Sequence, residues 1–320
     1  MKPNPLFAAV FAAAMLVAGT VSGAQLKIIT HNIRDAFSPR PSRTQSYRSE
    51  AANHRDFVAF MKKRAPDIVC LQELCNGQGE RFTAAKLAAM AKEYGHNYSA
   101  IVDSSYGVGI TSKYPMKVVF KGSPKGFSVR GIIHAEICGL NILCTHLDAS
   151  GPVPRLREAH ILLDYLRGKK LNRCLLMGDL NGRSPFDGDL YPDRPLRSVD
   201  YKTPPFSLLK ENVDYSVIST FLSYPLIDTM RIFVPNARDR MTWPNHWYSE
   251  RYGHKFPDVV GERLDYIFAT PDLIPTLRKG FIWNHACEPA EQYKEENAIR
   301  DASDHAPNEL ILEIPDADLK

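Results

Sequence analysis

Several short apolar runs in this 320-residue chain end at a polar residue, and they constrain the fold most. Residues 67–71 are apolar on both faces and too few for a globular helix, which predicts a buried strand with Glu73 at its exit. The same pattern recurs in residues 140–145 before His146, in residues 173–177 before Asp179 and in residues 266–269 after Asp265. Since strand ends hold side chains rigidly, the pattern predicts a polar site at the edge of a sheet.

The residue types at these strand ends favour a hard divalent cation. Mg²⁺ takes oxygen ligands, usually one or two carboxylates, and completes its shell with water and substrate phosphate. The chain has no Cys-x-x-Cys pair and no His-Glu-x-x-His motif to favour zinc. The predicted cofactor is therefore Mg²⁺, with Mn²⁺ as an alternative.

Six motifs in a fixed order resemble those of the endonuclease/exonuclease/phosphatase superfamily, which includes DNase I-like nucleases, sphingomyelinases and inositol-phosphate phosphatases. The motifs are residues 28–33, Gln72-Glu73, His146, residues 179–181, Asp265 and residues 303–305. The resemblance spans most of the chain after residue 24. It implies an enzyme, a metal-dependent phosphoric ester hydrolase.

The implied fold is α/β, a four-layer α-β-β-α sandwich of two packed, mainly antiparallel sheets with outer helices. The apolar periodicity agrees, because strands that are apolar on both faces need cover on both sides and amphipathic helices bury one face. Helix spacing occurs in three sets of residues: Phe57, Phe60 and Met61; Leu87, Met90, Ala91 and Tyr94; and Ala159, Leu162, Leu163 and Leu166.

The resemblance also implies roles at the metal and the attacking water. Glu73 would be the main metal ligand, with Asn32 beside it and Asp304 completing the surroundings. Asp179 would orient or deprotonate the water, and Asn181 would hold that water or a phosphoryl oxygen.

Further roles concern the substrate phosphate. His146 would donate to it, and His305 would face the scissile phosphorus with Asp265 hydrogen-bonded to its other ring nitrogen. Substrate binding is also predicted for Arg34 and for Trp243, whose Thr-Trp element resembles a support of the site in several subfamilies. His31 stands where many relatives have an aromatic residue, and it either fills space or adds a contact, the former being favoured.

Residues 1–24 have the features of a signal peptide: Lys2, an apolar stretch from Leu6 to Val17, and small residues up to Ala24. Cleavage after Ala24 would leave residues 25–320 as one catalytic domain, either periplasmic or secreted. The apolar stretch is short for a membrane span and no second one follows, so an integral membrane protein is not expected.

The sequence constrains the identity of the substrate less than it constrains the fold and the type of reaction. A formal net charge of +4 is too small to demand a polyanion. Basic residues of two loops could surround phosphate groups or simply be solvated: Arg34, Arg40, Arg43 and Arg48, and Lys121, Lys125 and Arg130. Aromatic residues in 245–261, an apparent insertion, could stack bases, touch a lipid interface or pack beneath a loop.

Three functional hypotheses follow. The first is an exported Mg²⁺-dependent phosphoesterase using in-line attack by water, with a phosphodiesterase or nuclease preferred over a phosphatase or phospholipase C-type enzyme acting on lipid, inositol or sugar phosphates. The second is a non-catalytic or toxin-type binding subunit with this fold, and the third is an exported adhesion or structural domain. The complete motif set favours the first, and no obligate protein partner is evident.

Overall fold

The computed structural model describes residues 23–37, 49–75, 82–190, 208–209, 212–243, 261–284 and 302–319. The helices there are α1 (Glu50–Arg64), α2 (Ala84–Glu93), α3 (Pro152–Lys169), α4 (Ser216–Ser223) and α5 (Thr229–Phe233). The strands are β1 (Gly23–Asn32), β2 (Ile68–Gln72), β3 (Tyr98–Ile101), β4 (Gly109–Ser112), β5 (Lys117–Gly122), β6 (Ile132–Ile137), β7 (Leu140–His146), β8 (Cys174–Asp179), β9 (Leu208–Leu209), β10 (Asn212–Val213), β11 (Ile227–Asp228), β12 (Asp265–Ala269), β13 (Leu277–Ile282) and β14 (Asn308–Pro315).

Most of these strands form two six-stranded sheets. The first has the order β13-β14-β1-β2-β4-β3 and the second β11-β12-β8-β7-β6-β5, while β9 and β10 form a separate pair. Neighbouring strands are antiparallel except for β1 with β2 and β7 with β8. The prediction of two mainly antiparallel sheets is therefore confirmed.

The side chains of the central strands alternate between the two faces of each sheet, and this alternation produces four layers. In β2, Ile68 and Cys70 lie in the core between the sheets, whereas Val69 and Leu71 pack with residues of α1 and α2. The second sheet behaves the same way, because Cys144 of β7 joins the central core and Leu143 packs with α3 and α4. Successive side chains of a strand point to opposite faces, so each sheet buries both faces. The predicted α-β-β-α sandwich is confirmed.

The three predicted amphipathic helices are also confirmed, as α1, α2 and α3. Their predicted apolar residues are all buried. None of the described helices is both long enough and apolar enough to cross a bilayer.

Strand register gathers the polar strand ends at one edge of the sandwich. Asn32 at the end of β1 pairs with Gln72, the residue before Glu73. His146 at the end of β7 pairs with Asp179 at the end of β8, because these strands are parallel. Asp265 begins β12, which is antiparallel to β8, so it also pairs with Asp179. Polar residues from the ends of five strands therefore meet where the two sheets pack.

The predicted signal peptide lies almost wholly outside the described residues, which begin at Gly23 in β1. Residues 245–260 of the aromatic segment also lie outside them.

Candidate active site

Asp179 lies at the centre of the candidate site. Its Oδ2 is 3.0 Å from Asn32 Nδ2, 3.4 Å from His146 Nε2 and 3.8 Å from His305 Nε2. Its Oδ1 accepts a 2.9 Å hydrogen bond from the backbone N–H of Asn181. One carboxylate thus meets four other residues of the predicted site.

The protonation of Asp179 follows from its surroundings. Burial raises the pKa of its carboxyl to about 7, with the charge of Asp265 adding to the effect and the charge of His305 opposing it. Such a carboxyl exchanges its proton near neutral pH, which suits a general base.

Asn32 connects Asp179 to Glu73. Its Nδ2 also donates to Glu73 Oε1 at 3.1 Å, while the backbone N–H of Asp35 donates to Glu73 Oε2 at 2.9 Å. Burial raises the pKa of Glu73, and the charges of Asp35 and Asp304 raise it further. A bound divalent cation would offset that crowding of negative charge, because it favours the ionised carboxylate.

The turn Arg34–Phe37 after Asn32 has a left-handed backbone. Its four φ angles are 50, 49, 56 and 65°, a region that costs roughly 1–2 kcal/mol per non-glycine residue. Site residues hold the turn in place: the Arg34 N–H donates to Asn32 Oδ1 at 2.9 Å, and the Ala36 N–H donates to the Glu73 carbonyl at 2.7 Å. The side chain of Arg34 is buried. Backbone strain of this kind concentrates at functional sites.

His305 pairs with Asp265. Its Nδ1 donates to Asp265 Oδ2 at 2.8 Å, and Thr242 Oγ1 accepts from the Asp265 N–H at 3.1 Å. Burial alone would lower the pKa of His305, but the charges of Asp265, Asp179 and Asp304 outweigh it and raise the pKa well above its ordinary value. The imidazole is therefore a cation, with Nε2–H on the side of Asp179.

His31 supports this pair from the neighbouring strand. Its Nε2 donates to the His305 carbonyl at 3.2 Å, and its ring stacks on Phe57 with centroids 5.9 Å apart. Burial lowers the pKa of His31 to about 4, so the ring is neutral near pH 7. His31 therefore fills space and adds a contact as well.

Arg130 extends from the loop between β5 and β6 to His146. Its Nη1 is 2.6 Å from His146 Nε2 and donates to the Leu147 carbonyl at 2.8 Å. Because a guanidinium has no acceptor, His146 Nε2 must accept, which fixes the tautomer of a neutral ring. Burial lowers the pKa of His146 well below its ordinary value, and the charges of Arg130 and His305 lower it further. In this arrangement Arg130, rather than His146 Nε2, offers the hydrogen-bond donors.

Gly178 allows β7 and β8 to approach closely just before Asp179. Its φ is +141°, and a Cβ at this position would lie 1.9 Å from the Thr145 carbonyl oxygen. Any other residue would push the two strands apart. Gly178, directly before the 179–181 motif, is therefore needed for the contact between His146 and Asp179.

The donor set fits a divalent cation. Ligand atoms of Glu73, His146 and Asp179 lie within 4.8 Å of one another, as do those of Asp179, Asp265 and His305. The first group fits better, since His305 is a cation hydrogen-bonded to Asp265, and the carboxylates of Glu73 and Asp179 supply oxygen atoms to that group. Oxygen ligands of this kind suit Mg²⁺ or Mn²⁺.

The structure brings most of the predicted residues into one network: Asn32, Glu73, His146, Asp179, Asn181, Asp265 and His305. Asp304 belongs to neither metal-compatible group of the described residues, and its Oδ2 accepts from Trp243 Nε1 at 3.3 Å. Arg34 meets the network through its backbone. The catalytic and binding roles of these residues stay predictions.

Three supporting residues escaped the sequence-based prediction. Ser303 Oγ donates to the Asn32 carbonyl at 2.6 Å and accepts from the His305 N–H at 3.2 Å. Ser303 and Thr242 stand beside predicted residues in their motifs, so adjacency could have identified both. Arg130 has no local motif, and only its position in a basic loop was noted.

Comparisons with known proteins identify the family of this chain. The profile of the Endonuclease/Exonuclease/phosphatase family matches residues 29–305, from β1 to His305. The chain belongs to this family and is a phosphoric ester hydrolase that depends on a divalent metal. A search of curated protein sequences found no significant match.

Solved structures share the fold at low identity. An AP endonuclease from Archaeoglobus fulgidus is 19% identical with a TM-score of 0.60, covering 90% of this chain and 99% of its own. The 3' phosphatase NExo from Neisseria, bound to a product DNA hairpin, is 16% identical with a TM-score of 0.58, covering 89% and 98%. D. rerio TDP2, complexed with a single-strand DNA product, is 16% identical with a TM-score of 0.56, covering 90% and 99%.

Proposed function

We propose that this protein is an exported, Mg²⁺-dependent phosphoesterase whose preferred substrates are phosphodiesters, nucleic acid first among them. The observation on which the proposal rests is the position of Asp179, a carboxyl with a pKa of about 7 in contact with Asn32, Asn181 and His146 and close to the His305 cation. A base, an amide and a cation are thereby close enough to act on one phosphate.

Each of these residues has a separate role in the in-line attack of water on phosphorus. Asp179 takes the proton of the attacking water, and Asn181 holds that water or a phosphoryl oxygen. The His305 cation stabilises the extra negative charge of the transition state, while Asp265 fixes its tautomer and orientation. Arg130 donates to a non-bridging oxygen beside His146.

Glu73 and Asn32 would hold the metal, with Asp304 in its surroundings. A bound Mg²⁺ would supply electrostatic stabilisation of the phosphoryl oxygens.

Nucleic acid is favoured as the substrate by three solved relatives. The AP endonuclease, the 3' phosphatase with its DNA hairpin and TDP2 with its single-strand DNA share the fold over about nine-tenths of this chain. The 3' phosphatase makes a terminal phosphomonoester the second candidate. Lipid, inositol and sugar phosphates share the same chemistry and belong in the same test.

The test is a Mg²⁺-dependent, EDTA-sensitive hydrolysis panel on the mature protein. The substrates are plasmid DNA, RNA, a DNA 3'-phosphate, sphingomyelin, inositol phosphates and bis-p-nitrophenyl phosphate. Wild type is compared with Glu73→Gln and with Glu136→Gln, an exposed carboxylate on β6 that pairs with Lys117.

We expect wild type and Glu136→Gln to cleave nucleic acid and Glu73→Gln to be inactive though folded. Full activity of Glu73→Gln would remove Glu73 from the metal site. Cleavage of sphingomyelin or inositol phosphates alone would replace the nucleic-acid proposal.

Export is part of the proposal. The N-terminal features support it, and cleavage after Ala24 would remove only two residues of β1, Gly23 and Ala24, which pair with Pro315 and Ile314. N-terminal sequencing of the protein recovered outside the cytoplasm of an expressing bacterium should begin at Gln25. Cytoplasmic protein that retains residues 1–24 would contradict export.

A further inference from the structure

We propose that Glu158 is a positioning residue that fastens two loops of the site together and thereby places Arg130 against His146. The inference rests on the proposed function, because it gives Arg130 a task in binding phosphate. Glu158 does not touch the reacting atoms, so its effect is exerted through the two loops.

The carboxylate of Glu158 binds one loop with each oxygen. Glu158 lies in the second turn of α3 and is only 1% exposed. Its Oε1 accepts from the Ser128 N–H at 2.6 Å, in the loop between β5 and β6, and its Oε2 accepts from the Asp148 N–H at 2.6 Å, in the loop between β7 and α3. Hydrogen bonds to a carboxylate are stronger than neutral ones, and burial shields them from water.

The same two loops meet again at the site. Arg130, two residues after Ser128, donates to the carbonyl of Leu147, the residue before Asp148. That carbonyl also accepts from Asn181 Nδ2 at 3.0 Å, and the Leu147 N–H donates to the Asp179 carbonyl at 2.9 Å. Glu158 therefore closes one end of a loop pair whose other end contains Arg130, His146 and the connection to Asp179.

Helix α3 holds both backbone groups of Asp148. Glu158 accepts from its N–H, and Arg155, one turn earlier, donates from Nε to its carbonyl at 2.9 Å. A glutamine at position 158 could accept from only one of the two N–H groups with its single oxygen, while its NH₂ would face a second donor. Fastening both loops therefore requires a carboxylate at position 158, and it requires a side chain as long as that of glutamate.

The first test measures amide hydrogen exchange, which needs no substrate. Glu158→Gln should speed exchange in residues 124–131 and 147–151 by about tenfold, the equivalent of one lost hydrogen bond. Asp164→Asn is the matched control, because Asp164 is an exposed residue of the same helix. Unchanged exchange in both loops would overturn the proposal. If Glu158→Gln does not fold, Glu158→Asp, one methylene shorter, takes its place.

The second test asks whether Glu158 acts through Arg130. With bis-p-nitrophenyl phosphate, Glu158→Gln should lower kcat/KM by about tenfold in wild type but much less in the Arg130→Ala background, because coupled residues are not additive. Equal losses in both backgrounds would reduce Glu158 to a general structural role and overturn the proposal. If wild type cleaves no phosphate ester, the proposed function fails, and the exchange result alone decides whether Glu158 fastens the loops.

Discussion

The His305–Asp265 pair is the residue-scale feature with the clearest consequence for catalysis. The carboxylates of Asp265 and Asp179 keep His305 protonated in spite of its burial. We expect His305→Ala to lower kcat at least about a hundredfold, because a preorganised cation is lost from the transition state. Asp265→Asn should also lower kcat, and the double variant should be little worse than His305→Ala alone.

Steady-state kinetics with circular dichroism as a check of folding would measure these effects. His160→Ala is the control, since His160 is an exposed residue of α3. A loss below tenfold for His305→Ala would assign His305 a structural role. Additive losses in the double variant would show that Asp265 acts independently of His305.

His96 gives a prediction about stability that does not involve the site. Its Nε2 donates to the Pro66 carbonyl and its Nδ1 accepts from Thr111 Oγ1, both at 2.8 Å, and burial lowers its pKa from 6.5 to about 4. As the pH falls below 6.5, the unfolded chain binds a proton at this residue before the folded protein does. The free energy of unfolding should therefore decrease between about pH 6.5 and 4, with a share from His96 of about 3 kcal/mol.

Urea unfolding at several pH values between about 7 and 4.5 would test this contribution. His96→Gln should be less stable at pH 7, having lost a hydrogen bond, but its stability should fall less steeply with acid. His160→Gln should keep the wild-type slope. An unchanged slope in His96→Gln would show that this histidine is not held neutral.

At the scale of elements, a buried cluster of charged side chains joins four segments of the chain that lie near β12. The cluster consists of Asp187, Asp228, Arg240 and Arg263, all nearly inaccessible to solvent. Asp187 Oδ1 accepts from Arg240 at 2.9 and 2.6 Å, while Arg263 lies 3.4 Å from Asp187 Oδ2 and pairs with Asp228. Asp228 also caps α5, where its side chain accepts from the Arg231 N–H. The cluster thereby fixes Arg263, two residues before Asp265.

Removing Asp187 should be costly, because buried Arg240 loses its carboxylate partner and buried Arg263 keeps Asp228 but loses its contact with Asp187. We expect Asp187→Ala to reduce the free energy of unfolding by about 3–5 kcal/mol. Asp164→Ala removes an exposed pair with Arg167 and should cost less than about 0.5 kcal/mol. Denaturant unfolding of both variants gives the comparison. Similar small losses in the two would mean that the cluster is solvated.

At the scale of the whole molecule, metal binding should stabilise the fold. The site draws residues from both sheets, so a cation that binds only the folded protein shifts the unfolding equilibrium. At a hundredfold excess over Kd the gain is about 2.7 kcal/mol. We expect Mg²⁺ to raise the Tm of wild type, and EDTA or Glu73→Gln to abolish the rise. An equal Mg²⁺ effect on Glu73→Gln would place the cation elsewhere.

The sequence by itself determined the architecture and the members of the central network. Runs such as residues 68–71 are apolar at every position, so they must be covered on both sides, and the periodicity of α1 to α3 supplies that cover. The site residues were predictable where they end or begin such a run. Glu73, His146, Asp179 and Asp265 all do so, and the strand register then leaves them little freedom.

Only the tertiary structure decided which contacts the loops make. It also decided the protonation states of the site residues. Arg130 reaches His146 because Glu158 and Leu147 bind its loop, and these contacts join residues far apart in sequence. The left-handed turn Arg34–Phe37 depends in the same way on Glu73. The pKa values of Asp179 and His305 depend on burial and on neighbouring charges, which exist only after the two sheets have packed. The local sequence is enough to predict where strands and helices form. The distances between site residues depend on long-range packing, and those distances determine which proton transfers and hydrogen bonds the site can make.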